Sequence, residues 1–271
     1  MTNERSRFSL THFPLPKNAQ GKTFFDKSAG YGRLRRAFQQ TIDDRGFGVL
    51  SGEPGVGKTT AIRNLIGELP RPDYQVIYLC NTTGSPLDLY RAIGGEIGVR
   101  PSHRRGELWT DIKKTVVHMV DERGIVPVVI IDEAHRLSDG FLADLAGFLN
   151  FAFDSRDVMP LWLVGQPLLV KRLHQQQHDA LRTRMAVEMR VEALDRNTFG
   201  AAIEHAFKTA GAAQSVLSDA AVELLFRASR GVLRVASKIL RVALRIAHDK
   251  NQAFLDERIC EAAIAELGST A

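Results

Sequence analysis

A glycine-rich stretch, GEPGVGKT at residues 52–59, limits what this chain can fold into more than any other feature. It satisfies every fixed position of the pattern G-x-x-x-x-G-K-[ST]. Glycines in such a loop adopt left-handed backbone angles and let successive N–H groups approach a phosphate closely. We expect Lys58 to reach the β- and γ-phosphates of a nucleotide, and the Thr59 hydroxyl to hold Mg²⁺. The residues predicted to bind the nucleotide here are Gly52, Glu53, Pro54, Gly55, Val56, Gly57, Lys58, Thr59 and Thr60.

The sequence on either side of this loop predicts a strand, then the loop, then a helix. An apolar run, FGVL, precedes the loop at residues 47–50, and residues 61–69 have helical spacing. The N-terminus of the helix would present unpaired N–H groups and its positive dipole end to the phosphates. The alternative is a glycine turn that only caps an ordinary helix, which the matching strand and helix disfavour.

A second motif, PVVIIDE at residues 127–133, is a β-branched run that ends in two carboxylates. Such a run is typical of a strand buried on both faces of a parallel sheet. We expect Asp132 to support Mg²⁺ together with Thr59, and Glu133 to orient or deprotonate the attacking water. The alternative is a hydrophobic strand that ends in acidic surface residues.

Another buried strand is predicted at residues 161–164, and Gln166 follows it directly. A polar side chain at the carboxyl end of a parallel strand can meet the γ-phosphate or the attacking water. Gln is also common at the edge of a turn, so both interpretations stay open.

Size and composition indicate a globular protein of two packed units. The chain has 271 residues, of which 44% are hydrophobic and 25% are charged. No apolar run approaches the length of a membrane span and no signal-peptide region is visible, so we expect a cytoplasmic protein without a membrane partner. The two cysteines, Cys80 and Cys260, suit neither a disulfide framework nor a zinc site.

Basic residues cluster between two predicted helices, in the loop GVRPSHRRG at residues 98–106. The formal charge of +5 fits polyanion binding without establishing it. Contact with DNA phosphates is one interpretation of the loop, and a solvated surface loop is the other. The candidate DNA-binding residues are Arg100, His103, Arg104, Arg105 and Lys113.

The rest of the chain divides into segments with different periodicities. Residues 1–28 predict an extended arm, 29–194 an α/β nucleotide-binding domain, and 195–271 a small α-helical domain of four helices. The third of these helices carries Arg234, Lys238, Arg241 and Arg245 in one stripe. Most stripes of this kind are solvated faces, but Arg234 at its start is a candidate for contact with ATP.

Together these residues resemble the AAA+ ATPases from about Phe24 onward. Within that superfamily, RGFGVLSGE at 45–53, LVGQP at 163–167 and SRGVLR at 229–234 look like the ExeA-type group, which includes transposition helper ATPases and secretion-assembly ATPases. The resemblance implies a P-loop α/β fold with five parallel strands and a helical lid, with ATP and Mg²⁺ as cofactors. It makes Gln166 the sensor on the fourth strand and Arg234 the lid sensor, although Val232-Leu233 stands where a proline commonly precedes the arginine.

The same resemblance places an arginine finger in residues 181–184, at Arg184 or, with a poorer alignment, at Arg182. A finger acts on the γ-phosphate of a neighbouring subunit, so it implies an oligomer. The favoured function is a DNA-binding ATPase that assembles on duplex DNA as a ring or helical filament and regulates transposition by recruiting a transposase. The alternatives are a nucleotide-switched assembly or loading factor that acts on a protein partner, and the motor half of a secretion ATPase.

Overall fold

The structure, a computed structural model, describes residues 7–80, 83–212 and 214–268, and the chain divides into two compact units. The described parts of Met1–Gly32, Pro54–Asn64 and Glu192–Ala271 form the first unit. Arg33–Glu53 and Leu65–Val191 form the second.

The second unit contains a five-stranded sheet in which every neighbouring pair is parallel. The strands are β1 (Phe47–Gly52), β2 (Tyr74–Leu79), β3 (Val126–Ile131), β4 (Leu161–Gly165) and β5 (Met185–Val191). Their order across the sheet is β2-β3-β4-β1-β5. The predicted α/β fold with five parallel strands is therefore confirmed.

Burial along each strand follows from its place in this order. All residues of β1 and β4 are buried, and β3 is buried from its second residue onward. Helices cover both faces of a parallel sheet, so central strands are apolar throughout. β5 instead alternates between half-buried and exposed residues, as expected for a strand at the sheet edge.

Helices account for most of the remaining described residues. The helices of the α/β region are α1 (Ala29–Asp43), α2 (Lys58–Glu68), α3 (Pro86–Glu96), α4 (Arg105–Asp121), α5 (Asp139–Phe148), α6 (Pro167–Leu173) and α7 (Asp179–Arg182). Those of the C-terminal region are α8 (Arg196–Thr209), α9 (Asp219–Ser229), α10 (Leu233–Asp249) and α11 (Glu257–Gly268). Short 3₁₀ turns occur at Gly21–Thr23, Ala134–Arg136, Ala152–Asp154 and Gln176–His178.

The N-terminal segment packs into the helical core of the first unit. Phe8 and Leu10 are buried in the same cluster as Phe199 and Leu240. The backbone N–H of Thr11 also donates to the carbonyl of Ala210 at 2.7 Å. The predicted arm is therefore packed at Phe8, Leu10 and Thr11, and its first six residues lie outside the described range.

Candidate active site

The glycine-rich loop has the backbone conformation that its sequence predicts. Gly55 and Gly57 have φ angles of +87° and +106°, in the region that L side chains rarely adopt. Lys58, which is buried, is the first residue of α2, and the N–H of Ala61 donates to the carbonyl of Gly57 at 2.8 Å. The loop thus leads directly into a helix N-terminus, which favours a bound anion.

Arg234, the predicted lid sensor, lies against this loop within the first unit. Its backbone N–H donates to the Gly55 carbonyl at 3.4 Å. A Cβ atom added to Gly55 would lie 2.9 Å from the Cβ of Arg234 and 3.1 Å from Val232. The start of α10 therefore fits closely on the loop only because residue 55 is glycine.

Asp132 follows the last residue of β3, in the second unit, and its carboxylate is buried. The Tyr78 hydroxyl donates to one carboxylate oxygen at 2.9 Å, and the backbone N–H of Glu133 donates to the other at 2.8 Å. These two donors fix the orientation of the carboxylate. Tyr78 was not among the predicted site residues. The parallel pairing of β2 with β3 brings it close to Asp132.

Glu133 has a left-handed backbone conformation, with φ +55° and ψ 29°. For a residue with a side chain this conformation costs about 1–2 kcal/mol, and such residues cluster at functional sites. The side chain is 47% exposed. A polar side chain with this backbone and exposure, directly after a buried strand, suits a group that must meet water.

Gln166 lies immediately beyond β4 and precedes α6 as its capping residue. Its backbone N–H donates to the Nδ1 atom of His135 at 3.3 Å. The His135 Nε2 atom lies 3.7 Å from a carboxylate oxygen of Glu133. The second unit thus brings Glu133 and Gln166 to the same histidine, His135, which was not among the predicted site residues.

The two arginines proposed as the finger have different surroundings. Arg182 pairs with Asp179, in its own helix α7, at 2.8 Å. Arg184 pairs with Asp154 at 2.5 Å, and its side chain is only 24% exposed. The hydrogen bond from Arg184 holds the pKa of Asp154 below its ordinary value.

Several of the candidate DNA-binding residues have protein partners. Arg104 pairs with Glu107 at 2.8 Å, Arg105 pairs with Asp144 at 2.5 Å, and Arg91 donates to the His103 ring at 2.9 Å. The pair of Arg104 with Glu107 is largely exposed, and an ion pair between exposed groups contributes little to stability. Arg100 is exposed in the loop that precedes α4.

Lys113 has a more buried position than the other candidates. Its amine donates to the carbonyls of Gly147 and Asn150 at 3.0 and 2.6 Å, and it lies 5.3 Å from the centre of the Trp109 ring. Burial, and secondarily the charge of Arg184, lowers the pKa of Lys113. The carbonyls it binds close the C-terminal end of α5, so the structure gives Lys113 a capping role.

The residues present fit a nucleotide with a divalent cation. Two glycines with positive φ form the backbone cradle, and Lys58 supplies the cation of the loop. The Thr59 hydroxyl in the first unit and the Asp132 carboxylate in the second are each, taken separately, a hard oxygen donor of the kind that Mg²⁺ uses. Across the described residues, no helix has both the length and the apolar character of a membrane span.

Residues 40–173 match the AAA domain family. This part of the chain is an AAA domain. AAA+ P-loop proteins hydrolyse ATP with a divalent metal, usually Mg²⁺, and the chain is accordingly an ATPase.

A curated relative is General secretion pathway protein A of Aeromonas hydrophila, with 30% identity over 203 residues. That match covers 74% of this chain and 37% of the relative, so the chain spans little more than a third of the length of that protein.

Solved structures share the fold. The ORC2 protein of Aeropyrum pernix, in ADPNP–ADP complexes, superposes with a TM-score of 0.69 at 16% identity, covering 97% of this chain and 72% of that one. The ORC1 protein of the same organism, in complex with DNA, gives 0.68 at 19% identity, covering 98% and 71%.

Proposed function

We propose that this AAA+ ATPase binds ATP with Mg²⁺, oligomerises on duplex DNA and regulates or targets transposition by recruiting a transposase. The observation that carries the nucleotide part is the glycine loop, with its two left-handed glycines and Arg234 packed on Gly55. Lys58 and the loop N–H groups bind the phosphates, Thr59 and Asp132 support the cation, and Arg234 contacts the nucleotide.

Glu133 is the proposed catalytic base, and Gln166 is the polar group that meets the γ-phosphate or the attacking water. Bound Mg²⁺ neutralises charge that develops on the phosphates. Glu133 has a half-exposed carboxylate that can accept a proton from water, and it directly follows Asp132 after the end of β3.

The DNA part of the proposal has independent support from charge and from fold. The chain carries a formal charge of +5, and a protein of the same fold, the ORC1 protein of Aeropyrum pernix, has been solved in complex with DNA. Binding through the phosphate backbone would be tolerant of sequence and sensitive to salt. The transposition part rests on the resemblance of three short motifs to the ExeA-type group, which includes transposition helper ATPases as well as secretion-assembly ATPases.

The second candidate function is an assembly ATPase that acts on a protein partner, as part of a secretion apparatus. The 30% identity to General secretion pathway protein A favours it. Electron microscopy and gel shift with duplex DNA, with and without a slowly hydrolysed ATP analogue, separate the two functions. DNA-bound rings or filaments that require the analogue support the first, and no DNA-bound assembly at low salt supports the second.

The double variant Arg104→Gln, Arg105→Gln lacks two positive charges. Its DNA affinity is expected to depend less on salt concentration. Each lost phosphate contact lowers the slope of log K against log salt by about 0.9. ATP affinity should not change. Arg156→Gln is the matched control. Arg156 pairs with Asp121 in the second unit, much as Arg105 pairs with Asp144. An equal slope for the unaltered protein, the double variant and Arg156→Gln would mean that the loop is solvated and does not contact DNA phosphates.

The Arg184→Ala substitution is expected to remove most ATP turnover from an oligomer made only of this variant. Mixing it with Glu133→Gln subunits should restore part of that turnover. The Glu133→Gln subunit lacks the base but still presents a finger to its neighbour. Arg182→Ala is the control and should retain turnover in the homogeneous oligomer. Titrating one variant into the other, with turnover as the readout, tests the idea. Turnover that stays at the sum of the separate variants at every ratio contradicts a finger supplied in trans.

A further inference from the structure

We propose that His135 is a positioning residue that links the catalytic carboxylate of Glu133 to Gln166 at the end of β4. This inference rests on the proposed catalytic role of Glu133. All three residues belong to the second unit, and the His135 side chain is only 11% exposed. A largely buried imidazole between two residues assigned to ATP hydrolysis is the observation that carries the inference.

The hydrogen bond from Gln166 determines which ring nitrogen of His135 carries the proton. The Gln166 backbone N–H can only donate, so Nδ1 of His135, at 3.3 Å, is the acceptor. In the neutral ring the proton is then on Nε2, the atom that faces Glu133. His135 therefore presents an N–H donor to the Glu133 carboxylate.

The distance from Nε2 to that carboxylate, 3.7 Å, is longer than a hydrogen bond. A small rotation of the exposed glutamate side chain, or one bridging water, completes the contact. In either case the N–H, directly or through that water, occupies one carboxylate oxygen and leaves the other to accept the proton of the attacking water. His135 thus restricts the directions in which Glu133 can point.

The main chain of His135 is anchored independently of its imidazole. Its carbonyl accepts from the Arg172 guanidinium at 2.9 Å, and Arg172 also pairs with Asp139 at 2.5 Å. A Cβ atom added to Gly165 would lie 3.0 Å from the His135 nitrogen, so β4 passes close to this turn. Changing the side chain at position 135 should therefore leave the turn in place.

The contacts of His135 connect the carboxyl end of β3 with the carboxyl end of β4. β3 and β4 pair in register from Val129 to Ile131, and Glu133 and Gln166 follow their carboxyl ends. A shift of the Gln166 peptide moves the acceptor Nδ1, and the rigid ring transmits that shift to Nε2. The position of Gln166 therefore biases the orientation of Glu133.

Two substitutions separate the two ends of the ring. His135→Asn places an amide near Nδ1 and can still accept from Gln166, but it leaves no donor at the Nε2 position. His135→Gln reaches the Nε2 position with an amide N–H. We expect the maximal turnover rate to fall about ten-fold in His135→Ala and His135→Asn, and to be partly restored in His135→Gln. ATP affinity and Tm should stay close to those of the unaltered protein.

His174→Ala is the matched control. His174 also pairs with a glutamate, since its Nε2 atom lies 3.0 Å from Glu188, but it is 50% exposed and directly follows α6. Its removal should leave turnover unchanged. Combining His135→Ala with Glu133→Gln should add nothing to the loss caused by Glu133→Gln alone, because the histidine acts through the glutamate.

The outcomes distinguish this inference from the proposed function. If Glu133→Gln slows turnover and His135→Ala does not, the link through His135 is wrong and the catalytic assignment stands. If Glu133→Gln does not change ATP turnover, Glu133 is not the catalytic base, and the positioning role of His135 is then wrong as well. Equal losses in His135→Asn and His135→Gln, a matching loss of ATP affinity or Tm, or an additive double variant would each overturn the positioning role.

Discussion

Glu133→Gln is expected to slow ATP turnover by about ten-fold or more while ATP affinity stays within about two-fold. Glutamine has the shape of glutamate but cannot take a proton from water. The backbone conformation of residue 133 and its N–H bond to Asp132 do not involve the altered atoms, so the neighbouring carboxylate keeps its position. Steady-state turnover and calorimetric titration with ATP and Mg²⁺ measure the two effects separately.

Lys58→Ala provides the contrast, because it removes the cation of the phosphate loop. We expect it to weaken ATP binding itself, with turnover falling as a consequence. Equal loss of binding in both variants would contradict the role given to Glu133. Turnover in Glu133→Gln equal to that of the unaltered protein would contradict it as well.

The sheet and the phosphate loop could be predicted because their signals are local. Each buried strand is a short apolar run, and the loop has an unusual spacing of glycines. Residues along β5 alternate between half-buried and exposed, as its position at the sheet edge requires. The seven-residue helix α6 gave no signal, because it is too short to show a helical period.

The arrangement around Glu133 was not predictable from the same patterns. A left-handed residue at the end of a strand is usually signalled by glycine or asparagine, and here a glutamate adopts it. The contact of His135 with Gln166 joins residues 31 positions apart and depends on the close approach of β4 at Gly165. Such contacts exist only once the sheet has assembled.

Some of the charge partners could likewise be predicted from the sequence, and others could not. The pair of Arg104 with Glu107 lies three residues apart at the start of α4 and follows from helical spacing. Arg105 pairs with Asp144, and Lys113 binds carbonyls at the end of α5, which no local pattern indicates. The number of positive charges in the loop therefore does not indicate which of them have a protein partner.

Gly231→Ala is expected to destabilise the first unit by about 3 kcal/mol or more. Gly231 has a φ angle of +75°, and a Cβ atom there would lie 2.1 Å from the carbonyl oxygen of Leu194. The Leu194 N–H donates to the Gly231 carbonyl at 3.2 Å, so the two segments cannot separate without losing that bond. This turn leads into α10, which carries Arg234, and ATP affinity should fall together with stability.

Urea unfolding followed by circular dichroism measures the change, and Gly67→Ala is the control. Gly67 lies near the end of α2 with nothing within 4 Å of an added Cβ atom, so its replacement should raise stability by about 0.5–1 kcal/mol. Gly231→Asn separates the two causes, because asparagine tolerates a positive φ but still carries the Cβ atom. Strong destabilisation in both Gly231 variants would show that the contact with Leu194 dominates. If both Gly231 variants unfold at the same urea concentration as the unaltered protein, the turn must shift to make room for the Cβ atom. In that case α10 does not need glycine at position 231 to reach the phosphate loop.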